Sequence, residues 1–232
     1  FDSSILKLSS PIPMTIILSF WASLSDLSSA INFDLRNFFI RVIVTIFMKE
    51  LYFITSNKGK LKEAKEKINH LDIEIIQLKL DYPEIQASDL KEIALYGLDF
   101  CSERFKSPFF LEDSGLFIEE LNSFPGPYSR YVHETIGNDG ILKLLLGASN
   151  RNAYFKSVIG LYNNGPIIFE GVSKGKISKE IRGKGGFGYD PIFMPENSEK
   201  TFGEMSTEEK NSYSHRGKAL DNMVKYLENG VE

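Results

Sequence analysis

The sequence is poor in cysteine. Cys101 is the single cysteine among 232 residues. A disulfide needs two cysteines, and a cysteine-based zinc site usually takes two to four thiolates. The chain therefore forms neither an internal disulfide framework nor a zinc site of that kind.

The sequence also lacks an excess of positive charge. Lysine and arginine total 27 and aspartate and glutamate total 31, so the formal net charge is −4. Broad binding of duplex DNA normally needs a basic face, and it is therefore disfavoured, although a local basic cluster can still bind a small polyanion. The composition is that of an ordinary globular protein, and the length allows one large domain or two small ones.

Residues 1–47 lack glycine and carry only six charged side chains. Residues 8–25 are uncharged, but Pro11 and Pro13 argue against a membrane-spanning helix. A basic start and a small-residue cleavage motif, which mark a signal peptide, are not evident. We expect a natural start at Met48, with a dispensable leader at 1–47 and one domain at 48–232. A membrane or targeting segment is the alternative.

After Met48, strand and helix patterns alternate early and a strand pair follows later. Strands are predicted at 51–55, 72–80, 109–111, 153–162 and 167–181, and helices after 60, from 89, at 140–146, from 206 and at the C-terminal end. A turn at 163–166 joins the last two strands. This order predicts an α/β fold with a mixed central β-sheet flanked by helices.

A polar turn, TSNKGK at 55–60, lies between the first strand and the first helix. Backbone N–H groups and the positive helix end favour an anion at such a place. The turn is not a Walker loop, because the upstream glycine is missing and Leu61 follows the Gly-Lys pair. It is either a phosphate cradle or an ordinary solvated helix start.

Two adjacent acids, Glu112 and Asp113, follow the apolar run at 109–111. We expect the strand to end there, at an Asp-Ser-Gly turn. Carboxylates fixed at a strand end can hold Mg²⁺ or activate a water molecule. A plain turn is the alternative.

The run GKGGFGYDP at 183–191 is rich in glycine. Its glycine spacing matches the dinucleotide fingerprint, but Asp190-Pro191 prevents a long helix and no strand–helix–strand unit surrounds it. With Phe187 and Tyr189, the run is better suited to a flexible wall against a nucleobase, or else it is a plain linker.

A further candidate is Lys210 together with the run SHRGK at 214–218. His215 and Arg216 are adjacent donors for carbonyl oxygens. The alternative is a capped helix start.

Together these segments resemble the inosine triphosphate pyrophosphatase family, which hydrolyses non-standard purine nucleoside triphosphates. The matching motifs occur in the family's order: TSNKGKLKE at 55–63, PEIQ at 83–86, LEDSGL at 111–116, FPGPYSRY at 124–131, GKGGFGYDPIF at 183–193 and EKNSYSHRGKAL at 209–220. The resemblance implies an inosine-triphosphatase-like fold with a substrate cleft between two lobes. It also implies Mg²⁺-dependent hydrolysis of ITP, dITP and XTP to the monophosphate and pyrophosphate.

The resemblance assigns roles to individual residues. Asp113 would accept the proton of the attacking water, and Glu84 and Asp113 would hold Mg²⁺. His215 and Arg216 would lie near the base and favour a keto group at the purine 6-position. Some relatives have a substrate-contacting lysine where Gly97 stands. The substrate-binding positions would be Thr55, Ser56, Asn57, Lys58, Gly59, Lys60, Ser114, Arg130, Phe187, Gly188, Tyr189, Asp190, Lys210, His215 and Arg216.

The resemblance further implies a cytoplasmic homodimer with no nucleic-acid or membrane partner. Two rival functions are a Maf-type pyrophosphatase acting on other nucleotides and a nucleotide-binding protein without turnover. The segments at 183–193 and 214–216 argue against the first, and Glu84 with Asp113 argues against the second.

Overall fold

The structure is a computed structural model, and it describes residues 50–83 and 85–229. The predictions for residues 1–47, for the start at Met48 and for Glu84 lie outside the described residues. The strands are β1 Glu50–Ile54, β2 Glu74–Leu78, β3 Phe109–Ile118, β4 Phe124–Gly126, β5 Asn152–Tyr162, β6 Pro166–Ile177 and β7 Phe193–Pro195. The helices are α1 Lys58–Ile68, α2 Leu90–Arg104, α3 Ser129–Thr135, α4 Gly137–Leu144, α5 Thr207–Tyr213 and α6 His215–Asn229, with short 3-10 turns at 119–121, 190–192 and 202–204.

One mixed sheet joins all these strands. Its order is β2-β1-β3-β5-β6-β7, and β4 pairs with β3 outside this path. The pairs β1–β2 and β1–β3 are parallel, whereas the neighbouring pairs β3–β5, β5–β6 and β6–β7 are antiparallel. The predicted mixed sheet is confirmed.

Apolar clusters cover both faces of the sheet. Phe110 belongs to the cluster that α1 and α6 complete, whereas Phe109 and Leu111 belong to the cluster that α2 completes. Because successive strand residues point to opposite faces, the two clusters lie on opposite sides of β3. We call these two clusters, with the helices α1, α2 and α6 that cover them, the α1 lobe. A third cluster, which includes side chains of α3, α4, β7 and residues 189–205, forms the α3 lobe.

Strand β3 continues through the acidic residues, so the prediction that it ends at an Asp-Ser-Gly turn is wrong. Glu112, Asp113 and Ser114 pair with Ile159, Val158 and Ser157 of β5. The strand can continue because the buried Glu112 carboxylate has ionic partners, which are described below. A glycine follows at position 115 because a Cβ there would overlap the carbonyl oxygen of Gly126 in β4.

Other predicted boundaries shift by a few residues. Strand β6 ends at Ile177 rather than 181, and the helix predicted at 140–146 is α4 at Gly137–Leu144. Gly97 is buried in α2, where a Cβ would crowd the side chains of Leu111 and Tyr82. Of the helices in the described ranges, none has both the length and the apolar character needed to cross a membrane.

Candidate active site

A cleft of about 890 Å³ opens between the two lobes. On the α1-lobe side it begins where the parallel strands β1 and β2 end, which is where ligands bind in open α/β sheets. The middle of β3 forms its floor. From the α1 lobe and the floor the cleft is lined by Ile54, Thr55, Ser56, Asn57, Lys60, Lys79, Leu80, Asp81, Tyr82, Glu112, Asp113, Ser114, Gly115 and Phe155. From the α3 lobe it is lined by Pro127, Ser129, Arg130, His133, Glu134, Phe187, Gly188, Tyr189 and Asp190. Lys210 of α5, with His215 and Arg216 at the start of α6, completes the floor.

The structure brings most of the predicted site residues to this cleft, although they come from distant parts of the chain. Lys58 and Gly59 do not line it; they form the first turn of α1 beside it. Glu84 lies outside the described residues, between Pro83 and Ile85.

The start of α1 is already capped. The Asn57 side-chain oxygen accepts hydrogen bonds from the backbone N–H groups of Gly59 at 2.8 Å and Lys60 at 3.1 Å. The Thr55 hydroxyl accepts from the N–H of Asn57. A phosphate that used the N–H groups of Gly59 and Lys60 would therefore have to displace the Asn57 cap.

At the floor of the cleft, three carboxylates and three cations form an ionic cluster, which we call the floor network. Glu63 of α1 accepts a hydrogen bond from Lys210 at 2.6 Å and one from Arg216. Lys210 also donates to Asp190 at 2.7 Å. The full set is Lys60, Glu63, Glu112, Asp190, Lys210 and Arg216.

Glu112 lies between two cations of the floor network, Lys60 and Arg216. One of its carboxylate oxygens lies 2.7 Å from Lys60 Nζ, and the other lies 3.2 Å from Arg216 Nε. Arg216 also donates to the hydroxyl of Ser114 at 3.0 Å. Because three positive charges face three negative ones, the floor network is electrically balanced.

Burial and charge act in opposite directions on the floor carboxylates. Burial alone would raise the pKa of Glu63 and Glu112, but Arg216, with Lys210 or Lys60, more than offsets it and lowers both. For Asp190, burial outweighs Lys210 and raises the pKa. The pKa of Arg216 is raised, because the attraction of Glu112 and Glu63 exceeds the effect of its burial.

His215 lies beside the floor network in a dry environment. Its ring stacks on Phe155 with centroids 4.5 Å apart, and its Nδ1 has no hydrogen-bond partner among the described residues. Burial, together with the nearby Arg216, holds the pKa of His215 well below its usual range. The imidazole is therefore neutral near pH 7 and offers one donor and one acceptor.

The glycine loop before the 190–192 turn contributes an aromatic wall. Asp190 orders this loop by accepting a hydrogen bond from the N–H of Phe187 at 2.7 Å. The Phe187 ring is partly exposed and lies 4.7 Å from Lys210 Nζ. Tyr189 is buried; its hydroxyl donates to the carbonyl of Ser129, and its ring meets His133 edge-on.

The rim of the cleft is more open. Arg130 of α3 is exposed and pairs with Glu134 at 3.0 Å, one helical turn later. His133, on the same helix, also lines the cleft. Sequence reasoning gave His133 no role, because its neighbours in the chain provide no polar cluster.

The residues present are compatible with Mg²⁺. Within the described ranges, no group of three or more His, Cys, Asp or Glu side chains is placed to hold a metal ion. The carboxylates of Glu63, Glu112 and Asp190 are held by lysine and arginine. Asp113 and Asp81 are further carboxylates that line the cleft. Mg²⁺ commonly takes one or two carboxylates together with substrate phosphates and waters, and carboxylates that line the cleft fit this requirement.

Sequence reasoning missed Glu63 and gave Glu112 no separate role. Glu63 stands in a lysine-rich helix and looks like a solvent-facing residue, although it is 3% exposed. Its position at the end of the TSNKGKLKE run at 55–63 was the available signal.

The model of the Ham1 family matches residues 51–226. A dITP/XTP pyrophosphatase of Thermococcus kodakarensis is 53% identical over 182 residues, which cover 78% of this chain and 99% of that protein. A dITP/XTP pyrophosphatase of Pyrococcus horikoshii is 55% identical over 179 residues, covering 77% of this chain and 96% of that protein. The solved structure of a HAM1 protein from Coxiella burnetii has a TM-score of 0.70 at 35% identity, and covers 79% of this chain and 100% of its own.

Proposed function

Because the chain belongs to the Ham1 family, we propose that it hydrolyses non-standard purine nucleoside triphosphates, namely dITP, ITP and XTP. The products are the monophosphate and pyrophosphate. The observation that carries this function is the joining, at one cleft, of segments that the sequence scatters over 160 residues: the α1 start, the Glu112–Ser114 strand, the 187–190 wall and the start of α6.

In this proposal the triphosphate binds to cations that the floor network leaves accessible. Lys60, Lys210 and Arg216 are already balanced by carboxylates. Lys79 and Arg130 are exposed and line the cleft, and the exposed Lys58 stands beside it in the first turn of α1. They are the groups that attract a polyanion, while the floor network fixes the shape of the cleft.

Asp113 acts as the proton acceptor for the attacking water and, with Glu84, as a ligand of Mg²⁺. When bound, Mg²⁺ neutralises and orients the phosphates. Asp113 is supported in both roles by its place on a central strand and by its partial exposure to the cleft. Calorimetric titration of the wild-type protein and of Asp113→Asn with Mg²⁺ tests the ligand role. Equal affinities of the two proteins for Mg²⁺ would show that Asp113 is not a ligand.

The base lies near His215 and Arg216 in this proposal. Each of the three guanidinium nitrogens of Arg216 already has a hydrogen bond or an ion pair. The two terminal nitrogens each carry a second N–H, and these are the donors that a substrate can use. A keto oxygen at the purine 6-position suits such donors, whereas the amino group of adenine does not. Arg216→Ala should narrow the ratio of ITP to ATP hydrolysis, and an unchanged ratio would exclude base reading by Arg216.

A homodimer is part of the proposal. Six large apolar side chains are exposed within one segment, namely Phe124, Tyr128, Tyr131, Ile136, Leu144 and Leu146. Exposed apolar side chains that form a contiguous patch mark interaction sites, and we place the dimer contact at this segment. Light scattering of the wild type and of Leu146→Glu tests it: we expect a dimer that the substitution weakens, and a wild-type monomer would refute it.

A nucleotide panel tests the function itself. Purified protein with Mg²⁺ is given dITP, XTP, ITP, ATP, GTP and pyrimidine triphosphates, and pyrophosphate release is measured. We expect rapid release from dITP, XTP and ITP. Preference for a pyrimidine nucleotide would favour a Maf-type activity, and binding without release would favour a nucleotide sensor.

A further inference from the structure

A buried serine lies behind the floor network. Ser157, on β5, is fully buried, and its hydroxyl donates to a carboxylate oxygen of Glu112 at 2.5 Å. The same oxygen faces Arg216 Nε. We propose that Ser157 is a positioning residue, which fixes the Glu112 carboxylate in the orientation that holds Arg216 and Lys60.

The sheet explains why this hydroxyl has so few alternatives. Ser157 is paired across the sheet with Ser114 of β3 on one side and with Gly171 of β6 on the other. A Cβ at Gly171 would overlap the backbone carbonyl of His215, so the start of α6 rests on the sheet beside Ser157. Ser157 is fully buried here, and its hydroxyl is directed to the carboxylate.

The hydrogen bond from Ser157 restricts rotation of the Glu112 carboxylate. Two cations contact the carboxylate, Lys60 at one oxygen and Arg216 at the other. A cation attracts a carboxylate over a range of angles, whereas a short hydroxyl bond fixes one oxygen in one direction. Without Ser157, Glu112 can rotate towards Lys60 and leave Arg216 to Glu63 and Ser114.

A merely stabilising hydroxyl would behave differently. Its loss would lower the free energy of unfolding and leave Arg216 in place. The inference therefore requires a direct observation of Arg216, which the Nε–Hε signal in a nitrogen-15 NMR spectrum provides. The signal is assigned by its disappearance in Arg216→Lys.

The experiment compares Ser157→Ala with Ser157→Cys, whose thiol is a weaker donor, and with Ser173→Ala. Ser173 is a buried serine of β6 that has no contact with the floor network. In the wild type and in Ser173→Ala we expect one sharp Arg216 signal at the same shift. In Ser157→Ala we expect a displaced signal whose exchange with water is about tenfold faster, with Ser157→Cys between the two.

The activity arm rests on the proposed function. We expect kcat/KM for ITP to fall about tenfold in Ser157→Ala and less in Ser157→Cys, and to be unchanged in Ser173→Ala. An Arg216 signal that is identical in Ser157→Ala and the wild type overturns the inference, as does an equal displacement in Ser173→Ala. If no triphosphate is hydrolysed, the proposed function fails while the NMR comparison still decides the role of Ser157.

Discussion

The floor and the rim of the cleft each carry an arginine, and the two are held differently. Arg216, in the floor, is buried between two glutamates and a serine hydroxyl. Arg130, on the rim, is exposed and pairs with a glutamate on its own helix. A buried ion pair is costly to break, whereas an exposed one contributes little and is screened by salt. We infer from this difference that the floor holds the geometry of the cleft, whereas the rim supplies positive charge that solvent and salt can screen.

The largest effect is expected at Asp113, where the floor strand meets the open cleft. Asp113→Asn preserves size but removes the proton acceptor and one negative charge. Loss of a general base lowers a rate by roughly 10²–10⁴-fold, and we expect kcat for ITP to fall within that range. Asp139→Asn, on the exposed side of α4, is the control for a lost charge. If Asp113→Asn retained more than about a tenth of the activity, the role of Asp113 would be misassigned.

Glu63→Gln tests whether the floor is a structural network. The substitution leaves Lys210 and Arg216 without their shared carboxylate. Breaking a buried ion pair costs roughly 3–5 kcal/mol, so we expect the free energy of unfolding, measured with urea, to fall by about 3 kcal/mol. The control is Glu66→Gln, one turn later on α1 and exposed, which should change the value by less than about 0.5 kcal/mol. An equal change in the free energy of unfolding in the two variants would show that the floor network is no more important for stability than an exposed residue.

The pH dependence of stability tests whether the floor carboxylates are held as ions. The pKa values of Glu63 and Glu112 are lowered by folding, so their contribution is present above the usual pKa of about 4.5 and is lost as the pH falls below it. Asp190, with a raised pKa, has the opposite sign. We expect Glu112→Gln to flatten the loss of stability below about pH 4.5. A wild-type slope in Glu112→Gln would mean that Glu112 is not held as an ion.

The smallest effect is expected on the rim. Arg130→Ala should change the free energy of unfolding by less than about 0.5 kcal/mol. At low ionic strength it should raise KM for ITP by about threefold, and added salt should remove this difference because the charge is solvent-exposed. Glu134→Gln should lower KM, because it removes a negative charge beside the same arginine. A salt-independent effect of Arg130→Ala would show that Arg130 forms a desolvated contact.

Local sequence patterns were sufficient to predict which segments form the site. The turn at 55–60, the loop at 183–191 and the run at 214–218 are each recognisable from a few neighbouring residues, and the structure brings them to one cleft. The order of strands and helices likewise predicted the mixed sheet. These features depend on periodicity and turn chemistry, which a sequence displays directly.

The contacts within the floor network could not be predicted in the same way. Glu63 reaches Lys210 and Arg216, which lie 147 and 153 residues further along the chain. Without those partners, a glutamate among lysines is read as a surface residue. The polar run at 112–115 is likewise read as a turn, and it forms a strand because partners from α1, β5 and α6 satisfy Glu112.

The central claim is hydrolysis of a non-standard purine triphosphate by attack of water at the α-phosphorus. Hydrolysis of dITP in water labelled with oxygen-18, followed by mass spectrometry of both products, tests it most directly. The account predicts deoxyinosine monophosphate carrying the label and unlabelled pyrophosphate. Labelled inorganic phosphate with deoxyinosine diphosphate, or label in the pyrophosphate, would contradict it.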